Sequence, residues 1–139
     1  MSNWTHVAGV VRIDHVIKLQ GRLNIDKIFG KECVLSDVSD DKAWDEWSDI
    51  MDDARENPNE YLPRGSEGSL RKVVWENPDK ECAVGYTITI FGDLRDHDNP
   101  QEIVDWFKNK IKNPSIIIRQ ATITVYNENN GTINWTYER

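Results

Sequence analysis

The chain has few cysteines and histidines, and it has no long apolar run. Cys33 and Cys82 have neither the spacing of a zinc site nor the density of a secreted disulfide scaffold, which favours buried, reduced thiols. No stretch approaches the ~20 apolar residues that span a bilayer, and the first residues do not follow the basic-then-apolar order of an export signal. These absences predict a cytoplasmic protein without a membrane partner.

Positive charge is also scarce. The formal net charge is −7, and residues 31–65 hold eleven Asp or Glu against four Lys or Arg. An acidic segment of this kind repels phosphate backbones, which argues against non-specific nucleic-acid binding. We interpret segment 31–65 first as a solvated face. The alternatives are an acidic surface for a protein partner and a mimic of DNA.

Aromatic residues are plentiful by contrast. Apolar residues make up 38% of the 139-residue chain, but six Trp, four Tyr and three Phe add large areas to bury, which favours a globular protein over a disordered one. The length suits one core, and neither repeats nor low-complexity tracts divide the chain. We therefore expect a single domain over residues 1–139.

The first half of the chain predicts one strand and one long helix. Apolar alternation indicates a strand from Trp4 to Val16, and residues 26–29 are compatible with one helical turn. Ser39 is placed to cap a helix over residues 40–56, which Asn57-Pro58 ends. A stripe at helical spacing predicts a buried packing face on this helix: Ala43, Trp44, Trp47, Ile50, Met51 and Ala54.

The second half alternates strands with another helix. The predicted elements are strands over 70–76 and 83–91, a helix over 100–112, and strands over 116–126 and 132–137. Residues 77–80 have the composition of a turn, which makes the first two strands a hairpin. Asn99 and Pro100 are the capping residue and first residue of the helix. Asn130-Gly131 is typical of a two-residue hairpin turn.

This order of elements predicts an α+β protein. Strand, helix, strand, strand, helix, strand is the ferredoxin-like split βαβ plan, here with an extra C-terminal strand. In that plan an antiparallel sheet carries two helices on one face. The other face has no helix and must meet water, a ligand or another subunit, so candidate functional residues are sought there.

The predicted turn decides which side chains share the helix-free face. A two-residue turn at Asn130-Gly131 sets Tyr126 opposite Trp135, whereas one bulged residue would reverse the faces and bury Trp135. With the regular turn, the predicted ligand-binding residues are Trp135, Tyr126, Thr87, Thr89, Thr122, Thr124, Arg12 and Arg119. Rings stack on nucleobases, while hydroxyl and guanidinium groups donate to phosphate. The same surface suits subunit packing, which predicts a homo-oligomer as well.

Arg119 is the exception in this set. It alternates with apolar residues of the opposite face, so it lies either near a sheet end with its charge in solvent or in a partly buried contact with an anion or a carboxylate.

Catalytic patterns are weak. His6, His15 and His97 are not united by their spacing, and the chain contains neither a P-loop nor a dinucleotide fingerprint. The polar loop Gly92 to Asp98 contains Asp93, Asp96, His97 and Asp98, which could ligate a divalent ion, but the spacing matches no Ca²⁺ loop. The alternative is a helix-entry loop that hydrogen-bonds itself. We predict a protein that is not an enzyme and holds no cofactor or metal.

Three stretches carry a resemblance. Trp4-Thr5-His6-Val7, Arg12-Ile13-Asp14 and the run from Phe91 to Asp98 resemble small uncharacterised proteins encoded by tailed bacteriophages and prophages. The resemblance spans nearly the whole chain and brings no assigned catalytic residues. It implies a setting in the host cytoplasm, where one class of phage protein sequesters nucleotide second messengers of bacterial antiviral defence.

The sequence thus leads to one functional expectation and one alternative. The expectation is a non-enzymatic, oligomeric phage accessory protein that binds a small anionic ligand such as a cyclic nucleotide. The alternative is a protein-interaction module that inhibits a host protein through the acidic segment 31–65.

Overall fold

The structure, a computed structural model, describes residues 2–16, 21–33, 40–77, 83–114 and 116–138. Within these ranges the chain forms β1 (Trp4–Val16), α1 (Ile25–Phe29), α2 (Asp40–Glu56), a 3₁₀ turn (Pro58–Glu60), β2 (Arg71–Glu76), β3 (Ala83–Arg95), α3 (Pro100–Ile111), β4 (Ile117–Asn127) and β5 (Gly131–Thr136). The expected Ser39 cap, residues 78–80 of the predicted turn at 77–80, a buried Cys82 and the side chains of Ala43 and Trp44 lie outside the described residues.

The strands form one antiparallel sheet in the order β2-β3-β1-β4-β5. The mixed α+β class is therefore confirmed. β1 pairs with β3 along its whole length, from Trp4 opposite Arg95 to Val16 opposite Ala83. Because β1 extends to Trp4, its partner β3 continues through Gly92 to Arg95. The prediction of a loop beginning at Gly92 is wrong for these four residues.

One face of the sheet is covered by α3, which lies against β4 and β5. Alternate residues of the three central strands point into this core: Val7, Val11, Ile88, Ile90, Ala121, Ile123 and Val125. From the helix, Ile103, Val104 and Phe107 meet them at the spacing that places side chains on one helical face. Ile28 and Phe29 of α1 complete the same core.

α3 begins as its sequence predicts. The Asn99 side chain accepts a hydrogen bond from the Gln101 amide at 3.1 Å, and Pro100 occupies the first helical position. A capped first turn fixes where the helix starts.

α2 packs on the 3₁₀ turn at 58–60 and contributes to a smaller cluster of Cys33, Ala54 and Tyr61. The buried stripe predicted for α2 is wrong at Trp47, which is 40% exposed. Ala54 at the C-terminal end is buried, and Ile50 and Met51 are half-buried. The cover for α2 comes from short segments at its C-terminal end, so its apolar residues are unequally buried.

The final hairpin has a different register from the predicted one. Asn127 pairs with Gly131, so residues 128–130 form a three-residue turn in place of a two-residue turn at Asn130-Gly131. The Asn127 side-chain oxygen accepts hydrogen bonds from the amides of Asn129 at 3.0 Å and Asn130 at 2.9 Å. These bonds hold the longer turn, because an Asn side chain can satisfy amides two and three residues ahead.

β2 is an edge strand, and a neighbouring segment is attached to it. The Lys72 amide donates to the Glu32 carboxylate at 2.8 Å. The Lys72 ammonium donates to the Gly30 carbonyl at 3.0 Å and forms an ion pair with Asp26. The segment that follows β1 is thus held against the edge of the sheet.

Candidate functional site

The side of the sheet opposite α3 is formed by the alternate strand residues that do not enter the core. We call it the open face. Its members include His6, Ala8, Val10, Arg12 and Asp14 of β1; Arg71, Val73 and Trp75 of β2; Thr87, Thr89, Phe91 and Asp93 of β3; Ile117, Gln120, Thr122, Thr124 and Tyr126 of β4; and Thr132, Asn134 and Thr136 of β5. Threonine dominates its centre, and charged and aromatic groups lie toward its ends.

Large apolar side chains are exposed on the open face. Val73 is 58% exposed, Trp75 57%, Tyr126 42% and Phe91 40%. Single exposed apolar residues are ordinary on protein surfaces, but a cluster on one face indicates a contact surface.

One end of the open face forms a cleft, which we call the arginine cleft. The sheet register aligns Trp75, Thr87, Arg12 and Gln120 in one row across four strands. Together with Asp14 and Arg119 they line a cavity of about 440 Å³, which Ile13, Asn77, Gly85 and Tyr86 complete. This volume falls within the range of small-molecule pockets, roughly 300–1,000 Å³.

A β-bulge brings Arg119 into the cleft. Arg12 pairs with Gln120, whereas the next β1 residue, Ile13, pairs with Ile118, so Arg119 has no partner of its own in the ladder. Ile118 and Ala121 on either side are buried, while Arg119 and Gln120 are both exposed. The extra residue re-aims the side chain, as bulges commonly do. This resolves the sequence expectation for Arg119: its charge lies in solvent beside a carboxylate.

The polar groups of the cleft hold one another in place. The Arg12 guanidinium donates to the Gln120 side-chain carbonyl. The Arg119 Nε atom lies 3.6 Å from a carboxylate oxygen of Asp14. Two guanidinium groups against one carboxylate give the cleft a net positive charge in a chain that is acidic overall. Such forks bind phosphate in a bidentate manner, and an exposed indole offers a surface for stacking.

Three of the eight predicted ligand-binding residues come together in this cleft: Arg12, Thr87 and Arg119. Thr89, Thr122, Thr124 and Tyr126 lie on the open face but outside the cleft. Thr124 donates to the Asn134 side chain at 2.7 Å, and Thr122 donates to the Trp135 carbonyl at 3.2 Å. These two hydroxyls are therefore used within the β4–β5 pair.

Trp135 lies on the opposite face of the sheet from the predicted one. In the observed register it pairs with buried Ile123, and its ring meets Phe107 edge-on with centroids 6.0 Å apart. The Lys108 ammonium lies 5.4 Å from the centroid of the same ring. The three-residue turn causes this change, because an odd shift in register moves every side chain of a strand to the other face.

Trp75 is the aromatic residue that the sequence did not single out. β2 shows no alternation of apolar and polar residues, and its register with β3 depends on a connection of nine residues between Glu76 and Tyr86. Trp75 can be assigned to the open face only once the pairing of β2 with β3 is known. It then lies opposite Thr87, which the sequence did assign to that face.

The other end of the open face carries carboxylates around His6. The His6 Nδ1 atom lies 2.6 Å from an Asp93 oxygen, and its Nε2 atom lies 3.7 Å from Glu128. The hydrogen bond to Asp93 raises the pKa of His6 above its ordinary value of 6.5. The His6 ring also stacks on Tyr126, with centroids 5.8 Å apart. We call this region the carboxylate end.

The loop considered for a metal ion divides its ligand candidates among different partners. Asp93 contacts His6, Asp96 accepts from the Ser66 hydroxyl at 2.8 Å, and Asp98 accepts from Asn3 at 2.6 Å. The Ser66 hydrogen bond lowers the pKa of Asp96. Within the ranges that the structure describes, no group of three or more His, Cys, Asp or Glu side chains is arranged to hold a metal ion.

The chain was compared with protein-family models, curated proteins and solved structures. No protein-family model matches the chain, and no curated protein or solved structure matches it. None of the helices in the described ranges is long and apolar enough to cross a membrane.

Proposed function

We propose that this chain is a non-enzymatic protein that binds a small anionic ligand in the arginine cleft. The observation that carries the proposal is the convergence of Arg12, Arg119, Thr87 and Trp75 around one cavity. An anion gains from two guanidinium groups, and a planar ring gains from an exposed indole beside them. A nucleotide combines both properties, because its phosphates are anionic and its base is planar.

The lining of the cleft favours binding over catalysis. Its described side chains include neither histidine nor cysteine, and its only carboxylate, Asp14, lies beside Arg119. General acid–base catalysis needs a positioned proton donor and acceptor, and one carboxylate held beside an arginine does not supply such a pair. Cys33 lies outside the cleft and is buried, which raises the pKa of its thiol and disfavours a nucleophilic thiolate.

A ferredoxin-like plan is part of the proposal. The order β2-β3-β1-β4 with antiparallel neighbours is the order that a split βαβ fold has, and β5 then is the added C-terminal strand. This plan leaves one sheet face free of helices, which suits a face used for recognition.

The biological setting comes from the resemblance to phage-encoded proteins. In that setting the ligand is a nucleotide second messenger of bacterial antiviral defence. The protein, a homo-oligomer while no ligand is bound, sequesters it in the host cytoplasm. Sequestration requires tight binding without turnover, which agrees with a cleft built from arginine, threonine and tryptophan.

Native mass spectrometry tests the binding proposal. Spectra of the protein alone and with a panel of cyclic dinucleotides, cyclic trinucleotides and ADP-ribose derivatives read the ligand mass and the stoichiometry directly. We expect one specific adduct per cleft, lost in Trp75→Ala and in Arg119→Gln. The matched control is Arg71→Gln, because Arg71 lies on the same face but outside the cleft, 3.5 Å from Glu32. Equal loss in all three variants, or no adduct from the panel, would contradict the proposal.

A second candidate function rests on the acidic segment. On α2 the carboxylates of Asp45, Glu46, Asp49, Asp52 and Glu56 are all exposed. Such a surface suits a basic patch on a host protein, and the alternative function is inhibition of that protein. Charge reversal distinguishes the two functions, since Glu46→Lys and Asp49→Lys on α2 should slow association with a basic partner and leave ligand binding in the arginine cleft unchanged.

A further inference from the structure

We infer that the open face pairs with the open face of a second copy of this chain, with the arginine cleft of one copy against the carboxylate end of the other. This inference rests on the proposed function only in that both use the open face, and the pairing can be tested without a ligand.

The open face is polarised from end to end. The arginine cleft holds Arg12 and Arg119 against one carboxylate, Asp14. The carboxylate end holds Asp93 and Glu128 around His6. Two arginines near this end are paired with carboxylates: Arg95 lies 2.8 Å from Glu67 and 3.6 Å from Asp96, and Arg71 lies 3.5 Å from Glu32. Acid therefore remains in excess there. Arg12 lies six positions after His6 along β1, roughly 20 Å at strand spacing.

Two-fold symmetry restricts how two such faces meet. When two sheets pack face to face as identical copies, the symmetry axis lies in the plane between them. An axis parallel to the strands would set arginine on arginine and carboxylate on carboxylate, and like charges repel. An axis across the strands reverses strand direction, so each cleft meets the carboxylate end of the other copy. The charges therefore select the second arrangement.

This arrangement gives definite pairs. Each strand lies over the same strand of the second copy, so β4 faces β4 and β1 faces β1. Arg119 therefore approaches Glu128 of the second copy. Arg12 approaches the His6–Asp93 pair of the second copy in the same way. Both contacts occur twice, once on each side of the axis, as an isologous interface requires.

The middle of the face is suited to burial. Val10 and Phe91 supply apolar area there, and Val73 extends it toward the β2 edge. Thr122 and Thr124 already make hydrogen bonds within their own sheet. Covering these two residues leaves neither hydroxyl without a partner, which lowers the desolvation cost at this part of the face.

A second copy and an anionic ligand would use the same arginines. Glu128 and Asp93 of one copy occupy the place of the ligand phosphates in the other, so the two occupants compete. Self-association is thus measurable without ligand, and ligand binding is measurable at protein concentrations too low for pairing.

Sedimentation velocity over a range of protein and salt concentrations tests the pairing. We expect a reversible dimer that weakens as salt rises, and at least about tenfold weaker association in Arg119→Glu and in Glu128→Arg. The double variant restores the pair with reversed signs and should return to within about threefold of the parent chain. Arg55→Glu and Glu56→Arg on α2 make the same charge changes away from the face and should leave the dimer unchanged.

A second pair of substitutions guards against local damage, because Glu128 also accepts a hydrogen bond from the Trp4 amide. Arg12→Glu and Asp93→Arg should each weaken the dimer and together restore it. A chain that stays monomeric at millimolar concentration overturns the inference, and so does a dimer indifferent to Arg119→Glu. Neither result changes the ligand adduct that native mass spectrometry measures, whose loss in Trp75→Ala tests the proposed function. Failure of the pairing is therefore distinguishable from failure of the proposed function.

Discussion

Arg119 reaches the same face as Arg12 because β4 carries one residue more than β1 at this point. The ladder passes from the Arg12–Gln120 pair to the Ile13–Ile118 pair, and Arg119 is the residue left between them. Without the bulge, Arg119 would follow the alternation of its strand and point toward the core. The positive charge of the cleft therefore depends on a backbone irregularity as much as on residue identity.

The two tryptophans on opposite sides of the sheet should respond differently to removal. Trp75→Ala should change the free energy of unfolding by less than about 0.5 kcal/mol, because the ring is largely exposed. Trp135→Ala should cost about 2 kcal/mol, because its ring packs on Phe107 and lies under Lys108. Urea unfolding measures both. A larger loss for Trp75→Ala would contradict the assignment of faces.

Gly68 and Gly131 form a matched pair for backbone strain. Both have positive φ, +78° and +85°, so alanine at either position costs about 1–2 kcal/mol. At Gly68 an added Cβ would also clash with the Asp93 carbonyl oxygen, whereas the space at Gly131 is open. We expect Gly68→Ala to destabilise by at least about 2 kcal/mol more than Gly131→Ala in denaturant unfolding. Equal losses would show that the 65–69 segment moves away freely from β3.

His6 should make stability depend on pH. Its pKa is raised in the folded state by the Asp93 hydrogen bond, so the protonated form is favoured by folding. The added stability is fully present below about pH 6.5, the ordinary His pKa, and is lost as pH rises through the folded-state pKa. NMR titration of the His6 ring should give a pKa above 6.5, and Asp93→Asn should lower it. An unchanged pKa in Asp93→Asn would refute this cause.

Tyr61 should ionise only in strong alkali. Its hydroxyl donates to the Asp53 carboxylate, and this bond together with burial raises the pKa of Tyr61 to about 12. Ultraviolet titration of the parent chain minus that of Tyr61→Phe isolates this phenol. Asp53→Asn should move the pKa back toward 10, since an amide does not repel the phenolate. A difference spectrum centred near 10 in the parent chain would contradict the contact.

Local signals predicted the regular elements well. β1 and α2 have the predicted bounds, and α3 ends one residue before its predicted end. These elements are predictable because apolar alternation and the Asn99 cap depend only on residues close together in the chain. Such signals need no knowledge of the rest of the chain. The order of elements also predicted the mixed α+β class.

The candidate site was predicted only in part, because it depends on register. Asn127 captures the amides of Asn129 and Asn130, which lengthens the last turn and moves Trp135 to the core. A dipeptide rule for Asn130-Gly131 cannot anticipate a competing side chain three residues earlier. Trp75 entered the cleft through pairing with Thr87, a contact between distant segments that leaves no local pattern.

The Glu32 carboxylate on the Lys72 amide has a consequence for association. An edge strand offers its free amides as a template on which another chain can add a strand, the first step of fibre growth. At Lys72 that amide is already taken by a side chain, and the Lys72 ammonium is tied to Gly30 beside it. A growing fibre would have to displace both contacts. These contacts therefore disfavour the addition of further strands at this edge, while the open face remains available for pairing in a closed dimer.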